Sequence, residues 1–236
     1  MRLNRILLFV VIFSLLGVTV HGCSEAKAAA EAKEDTGKDL LDELTFLGDS
    51  TTAHMQQRSP LRAEQIWAAK NRYLNLDSRI TYAQIVAPDT NKEEGIAAVA
   101  KRLKPRYLVI TLGVDYGVYY YREDLQTFRY YYEKLLSAIA EASPETTLIL
   151  QSIFPVGRGA TVITNKMIAN ANAVIRDIAD TRGLTFIDQT AVLSDADGFL
   201  KEAYCYSDDG IHLTAAAYDA ILQKLLSAEA EIRGEA

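Results

Sequence analysis

The chain has 236 residues, 49% hydrophobic and 24% charged, with a formal charge of −6. Length and apolar content suit one domain with a sizeable core. An acidic chain without long runs of one sign lacks the basic surface that phosphate backbones require, so no nucleic-acid partner is expected.

Arg2 and Arg5 precede an uncharged, mostly apolar run from Ile6 to Val20. As a helix it would reach about 22 Å, short of the ~30 Å hydrocarbon core, which fits a signal peptide over 1–22 better than a spanning helix. Val20-His21-Gly22-Cys23 resembles a bacterial lipobox, with His21 where a small residue is usual. That resemblance implies that Cys23 is lipidated and becomes the first mature residue. A retained signal anchor and plain secretion are the alternatives. Each places the protein outside the cytoplasm, either secreted or tied to the bacterial cell membrane through an N-terminal lipid or signal anchor. Two acyl chains would hold it stably. The rest of the chain, more acidic still once Arg2 and Arg5 are removed, would not adhere to anionic lipid. Cys23 and Cys205 are the only cysteines, so at most one disulfide can form, and none if Cys23 is lipidated. With three histidines besides, no zinc cluster is expected, and neither metal nor organic cofactor is implied.

Residues 23–42, rich in Ala, Glu and Lys, read as a solvated tether, and 43–232 as the folded domain. From there strands and helices alternate. Leu44–Leu47 is a short apolar run ending in Gly48-Asp49-Ser50. Arg62–Lys70 reads as helical, and Tyr73–Asp77 or Ile80–Val86 as extended. Lys92–Leu103 is an amphipathic helix with Ile96, Val99, Ala100 and Leu103 on one face, stopped by Lys104-Pro105. Tyr107–Leu112 is a fully apolar strand of the buried parallel kind. Glu123–Ala142 is a long helix, Thr147–Ile153 a strand, Asn165–Thr181 a helix, Leu184–Asp188 a strand and Thr214–Ile232 a closing helix. Repeated β-then-α units imply an α/β fold, a three-layer α/β/α sandwich around a mostly parallel sheet.

Ligands of such sheets bind beyond the carboxyl ends of the strands. After the first strand comes Gly48-Asp49-Ser50. Alone, this is a strand-ending turn with an N-cap serine as readily as a nucleophile. At the start of a helix, the Ser50 N–H and the positive end of the dipole would face a developing oxyanion. A nucleophilic serine needs a base. His21 lies in the signal, leaving His54 and His212. In Asp208-Asp209-Gly210-Ile211-His212, an aspartate three residues ahead of the histidine can hold one ring nitrogen and leave the other free. His54 has no such carboxylate near it in sequence and reads as a surface or rim residue.

Gly48-Asp49-Ser50 and Asp209-Gly210-Ile211-His212, at opposite ends of a long β/α pattern, resemble the SGNH hydrolases, also called GDSL-type lipases and esterases. Tyr107–Gly113 is similar to the strand leading into that family's Gly-x-Asn segment, and Gln151–Val156 to the next strand and its proline-containing exit. The resemblance covers Leu44 to about Leu226. It implies a flavodoxin-like five-stranded sheet and ester hydrolysis through an acyl-serine. Ser50 would be the nucleophile and first oxyanion donor, His212 the general base and then acid, and Asp209 its orienting partner. Substrates would be small-molecule or glycan esters, with O-acyl transfer to a sugar as a variant.

Two positions depart from the pattern. Asp115, in Gly113-Val114-Asp115, stands where the family has its asparagine, and an ionised carboxylate cannot donate to an oxyanion. Three accounts are open: Asp115 is protonated, it points away, or the protein is slow or inactive and serves as a surface binding protein. The second-segment glycine is not evident, and Ser78 in Asn75-Leu76-Asp77-Ser78 is the candidate donor there. The expected oxyanion hole thus comprises Ser50, Ser78, Gly113 and Asp115. Tyr116 and Tyr119 either pack or form a platform for a sugar ring or acyl chain, while Tyr121 and Tyr132 fit a core stripe.

Overall fold

The computed structural model describes residues 40–235. The Ile6–Val20 run, the segment around the lipidation candidate Cys23, and the stalk up to residue 39 lie outside the described residues. Among those described, no helix is long and apolar enough to cross a membrane.

The main sheet has five parallel strands: β1 (Leu44–Gly48), β2 (Ile66–Trp67), β5 (Tyr107–Thr111), β6 (Thr147–Gln151) and β7 (Thr185–Ile187). Their spatial order is β2-β1-β5-β6-β7, the flavodoxin-like order expected. A small antiparallel hairpin, β3 (Gln84–Val86) with β4 (Glu93–Gly95), stands apart. Strand periodicity of two sorts the core. Leu47, Leu108, Ile110, Leu148 and Leu150 pack against helices α2 (Ile96–Leu103), α3 (Leu125–Ala142) and α4 (Asn165–Arg182). Phe46, Tyr107, Val109 and Ile149 face α1 (Ser50–Arg58), α5 (Thr190–Leu193), α6 (Ala215–Ser227) and α7 (Glu229–Arg233). The result is a three-layer α/β/α sandwich.

Several local expectations shift. Arg62–Lys70 is not helical but a 3-10 turn at Ala63–Gln65 followed by edge strand β2. Ile66 and Trp67 are buried and pair with Phe46 and Leu47, and Gln65 Nε2 donates to the carbonyls of Leu41 and Leu44 at 2.6 and 2.8 Å. Burial beside β1 overrides the helical propensity of the segment. Ala68 and Ala69 therefore follow the second sheet strand directly, while Asn75–Ser78 comes later and lies beside the loop after β5, where the Leu76 N–H donates to the Tyr116 carbonyl at 3.0 Å. Residues 93–95 pair with β3 and shorten the amphipathic helix to Ile96–Leu103. The closing helix divides at Ala228 into α6 and α7. Leu40, inside the predicted tether, is fully buried against this second core layer.

Gly48 ends β1 opposite Thr111 of β5. A Cβ there would lie 2.1 Å from the Thr111 carbonyl oxygen and 2.2 Å from Thr52 Oγ1. Gly48→Ala is expected to cost about 3 kcal/mol through overpacking. In a domain of this size that lowers Tm by about 6–12 °C in a thermal unfolding scan. An unchanged Tm would contradict this packing.

Candidate active site

The register pairs Gly48 with Thr111, so the exits of β1 and β5 lie side by side at the carboxyl rim. Asp49, the N-cap of α1, does not cap its own helix with its carboxylate. Oδ2 instead accepts the N–H groups of Gly113 and Val114, each at 3.0 Å, and Oδ1 accepts the Thr51 hydroxyl at 3.1 Å. This buried carboxylate pins one strand exit to the next. Burial first, and the Asp115 charge second, push its pKa up to about 7 against those hydrogen bonds.

Ser50 begins α1 and is buried. Asp115 does not point away from it. The Ser50 N–H donates to Asp115 Oδ2 at 3.0 Å and the Ser50 hydroxyl to Oδ1 at 2.8 Å. Burial raises the Asp115 carboxyl above the ordinary range, opposed by these two donors and by His212. The arrangement corrects the expected oxyanion hole. The Ser50 N–H is already taken by a carboxylate, and the Gly113 N–H is spent on Asp49. Ser78 stands exposed in the turn that Asp77 and Ile80 close, with no hydrogen bond to Ser50 or Asp115.

His212 and Asp209 meet as the spacing predicts. Asp209 Oδ2 lies 2.6 Å from His212 Nδ1, and its Oδ1 accepts the N–H groups of Ile211 and His212 at 2.7 and 3.1 Å. Gly210 makes this turn possible with φ 67°. Burial works to raise the Asp209 carboxyl, but these donors outweigh it and hold it well below the usual carboxylate range. A carboxylate only accepts, so Nδ1 carries the hydrogen, and in the neutral ring Nε2 is the acceptor.

The chain fastens this loop to the serine helix. Tyr218 on α6 donates to the Thr51 carbonyl at 2.6 Å. Arg58 Nη1 donates to the Leu213 carbonyl at 3.2 Å, and its guanidinium lies 3.4 Å from the Tyr206 ring centroid. The Gly157 N–H donates to the Gly210 carbonyl at 2.7 Å. His54, one helical turn after Ser50, packs its ring against His212 with centroids 4.6 Å apart. The nucleophile candidate's helix and the imidazole of His212 thus share one rim, although the Ser50 hydroxyl is directed to Asp115 rather than to His212.

His54 is the residue that sequence reasoning undervalued. The signal was present: a histidine four residues after a serine on one helix lies on the same face. Burial, then the charges of His212, Arg58 and Arg72, push its pKa down to about 4.

The tyrosines divide. Tyr132 is fully buried and Tyr121 half-buried against the core. Tyr116 stacks on Tyr120 with centroids 3.9 Å apart, and the edge of exposed Tyr119 meets Tyr120 at 5.7 Å. Among the described residues no group of three or more His, Cys, Asp or Glu could hold a metal ion.

The sequence profile of the GDSL-like Lipase/Acylhydrolase family matches residues 46–220. The chain belongs to this family. That membership makes it a carboxyl-ester hydrolase by class. Solved structures share the fold. One is a Streptococcus pneumonia protein carrying the name of platelet activating factor, 17% identical with TM-score 0.53 over 89% of this chain and 98% of that one. A Desulfitobacterium hafniense protein assigned to the G-D-S-L family of lipolytic proteins is 20% identical, with TM-score 0.50 over 78% and 97%. A GDSL-like lipase from Bacteroides thetaiotaomicron is 16% identical, with TM-score 0.47 over 80% and 87%. No curated protein sequence matches the chain.

Proposed function

We propose that the protein is an extracytoplasmic serine esterase, tethered through Cys23, that removes short acyl groups such as O-acetyl from glycans by way of an acyl-Ser50. The Asp209–His212 pair carries this reading: its Nε2 lies at the rim where α1 presents Ser50. In the reaction the Ser50 hydroxyl turns from Asp115 to His212, which takes its proton as Oγ attacks the acyl carbon. Collapse of the tetrahedral intermediate returns that proton to the leaving alcohol. Water, activated by the same imidazole, then cleaves the acyl-serine and restores the hydroxyl.

The cavity among Asp49, Thr51, Leu112, Ile153, Phe154 and Ile211 is about 10 Å³, the space of about one water, and offers no enclosed room for a long acyl chain. Exposed Tyr119 and Tyr120, close in sequence to Asp115, suit the apolar face of a sugar. The second reading, a surface protein with little turnover, is favoured by one observation: the Asp115 carboxylate holds both donors of Ser50.

A panel of chromogenic acetyl, butyryl and octanoyl esters, run beside an acetylated polysaccharide on the fragment from Asp39, separates the two. Acetate release from the polysaccharide and a fall in kcat/KM of about tenfold or more toward octanoyl are expected. Transfer of the acetyl group to an added sugar would instead identify an acyltransferase. No turnover of any ester would leave the binding-protein reading.

A further inference from the structure

The rim beside His212 carries guanidinium groups that no carboxylate among the described residues pairs with. Among the described residues, Arg58, Arg72 and Arg182 are the arginines without an ion pair, and Arg182 donates to Ser137. The other two face His54. Arg72 Nη1 lies 3.1 Å from His54 Nε2. A guanidinium keeps its protons, so Nε2 accepts and the imidazole is the neutral tautomer with hydrogen on Nδ1. With its pKa pushed down to about 4, chiefly by burial, His54 stays neutral in ordinary buffers and holds Arg72 rather than competing as a base.

The backbone of Arg72 is left-handed, φ 65°, a conformation that side chains other than glycine adopt at a cost and that clusters at functional positions. Its side chain lines a cleft of about 410 Å³ with Gln56, Gln57, Lys70 and Asn91. Lys70 and Glu64 at this cleft have partners of their own in Glu93 and Arg62. Asp209, the carboxylate bonded to His212, is committed to two N–H groups and that ring. Arg58 keeps donors beyond the one given to Leu213.

Position decides which half of an ester would meet these charges. The imidazole that protonates the leaving oxygen must have the alcohol half beside it, and the ring packed on that imidazole at 4.6 Å, His54, holds Arg72 at 3.1 Å. We propose that Arg72, supported by Arg58, forms a subsite for a carboxylate or phosphate on the alcohol half of the ester. This rests on the serine-esterase reading above and narrows its substrates to acylated acidic alcohols, such as acid-bearing or phosphate-bearing sugars.

The test pairs 3-acetoxybenzoate with neutral 3-acetoxybenzamide as substrates, and measures equilibrium binding of the products 3-hydroxybenzoate and 3-hydroxybenzamide. The wild-type protein should favour the anionic member by about tenfold in both measurements, the size of one charge-assisted hydrogen bond. Added salt and Arg72→Gln should each bring that ratio toward one, and Arg72→Lys should restore part of it. Thermal unfolding checks that the variants are folded. Equal or undetectable binding of the two products, or a preference untouched in folded Arg72→Gln, overturns the subsite. Preferential binding of the anion with neither ester turned over would sink the esterase reading and leave the subsite standing.

Discussion

Ser50→Ala abolishes release of a chromogenic acetyl ester, with kcat falling by about 10⁴- to 10⁶-fold, while the protein stays folded. The size follows from groups that act as a unit: without the hydroxyl, the Asp209–His212 pair has no oxygen to activate, and only binding and residual polar stabilisation remain. Stability changes little because the change removes one hydrogen bond, the 2.8 Å donation to Asp115, and leaves the Ser50 N–H on the same carboxylate. The expected cost is about 1 kcal/mol, a shift of about 2–4 °C in Tm. Turnover undiminished in a folded Ser50→Ala would remove Ser50 from the chemistry.

Asp115→Asn raises kcat/KM at neutral pH by about 10²- to 10³-fold, the usual value of one oxyanion donor. The carboxylate accepts both Ser50 donors where a tetrahedral intermediate needs hydrogen bonds donated to it. An amide keeps one acceptor and supplies an N–H. The pH dependence of the gain identifies its cause. Asp115 is held above the ordinary carboxylate range, so acid renders it neutral in the wild type and lets it donate. The advantage of the amide should therefore shrink as the pH is lowered and grow as it is raised. Stability shifts in a known direction too. Carboxyls whose folded pKa is raised favour the fold fully below about pH 4, and that contribution is lost as pH rises toward the value near 7 of Asp49. Removing the Asp115 charge relieves Asp49, so the variant should gain stability over wild type in the alkaline half of that window. A drop in kcat/KM would show instead that Asp115 itself takes the Ser50 proton.

The buried strands were legible because Tyr107–Leu112 and Thr147–Ile153 are too apolar to be anything but central. The Asp209–His212 contact was legible because a three-residue spacing across a glycine turn leaves little freedom. Edge strand β2 was not: two residues carry no periodicity, and Arg62–Lys70 has helix-forming composition until Ile66 and Trp67 are seen against Phe46 and Leu47. That error set Ser78 directly after the second strand, where Ala68 and Ala69 stand. Asp115 could be recognised as a departure, but not that it would reach back to hold both donors of Ser50, which depends on the juxtaposed exits of β1 and β5. The partnership of His54 with Arg72 joins a helix to a loop with left-handed backbone, and no spacing announces it.

The hydrogen bond from Tyr218 to Thr51 ties the last long helix to the helix that opens the domain. The two groups of the proposed chemistry therefore meet only when these helices dock, and a chain severed before Asp209 would carry the serine without the imidazole.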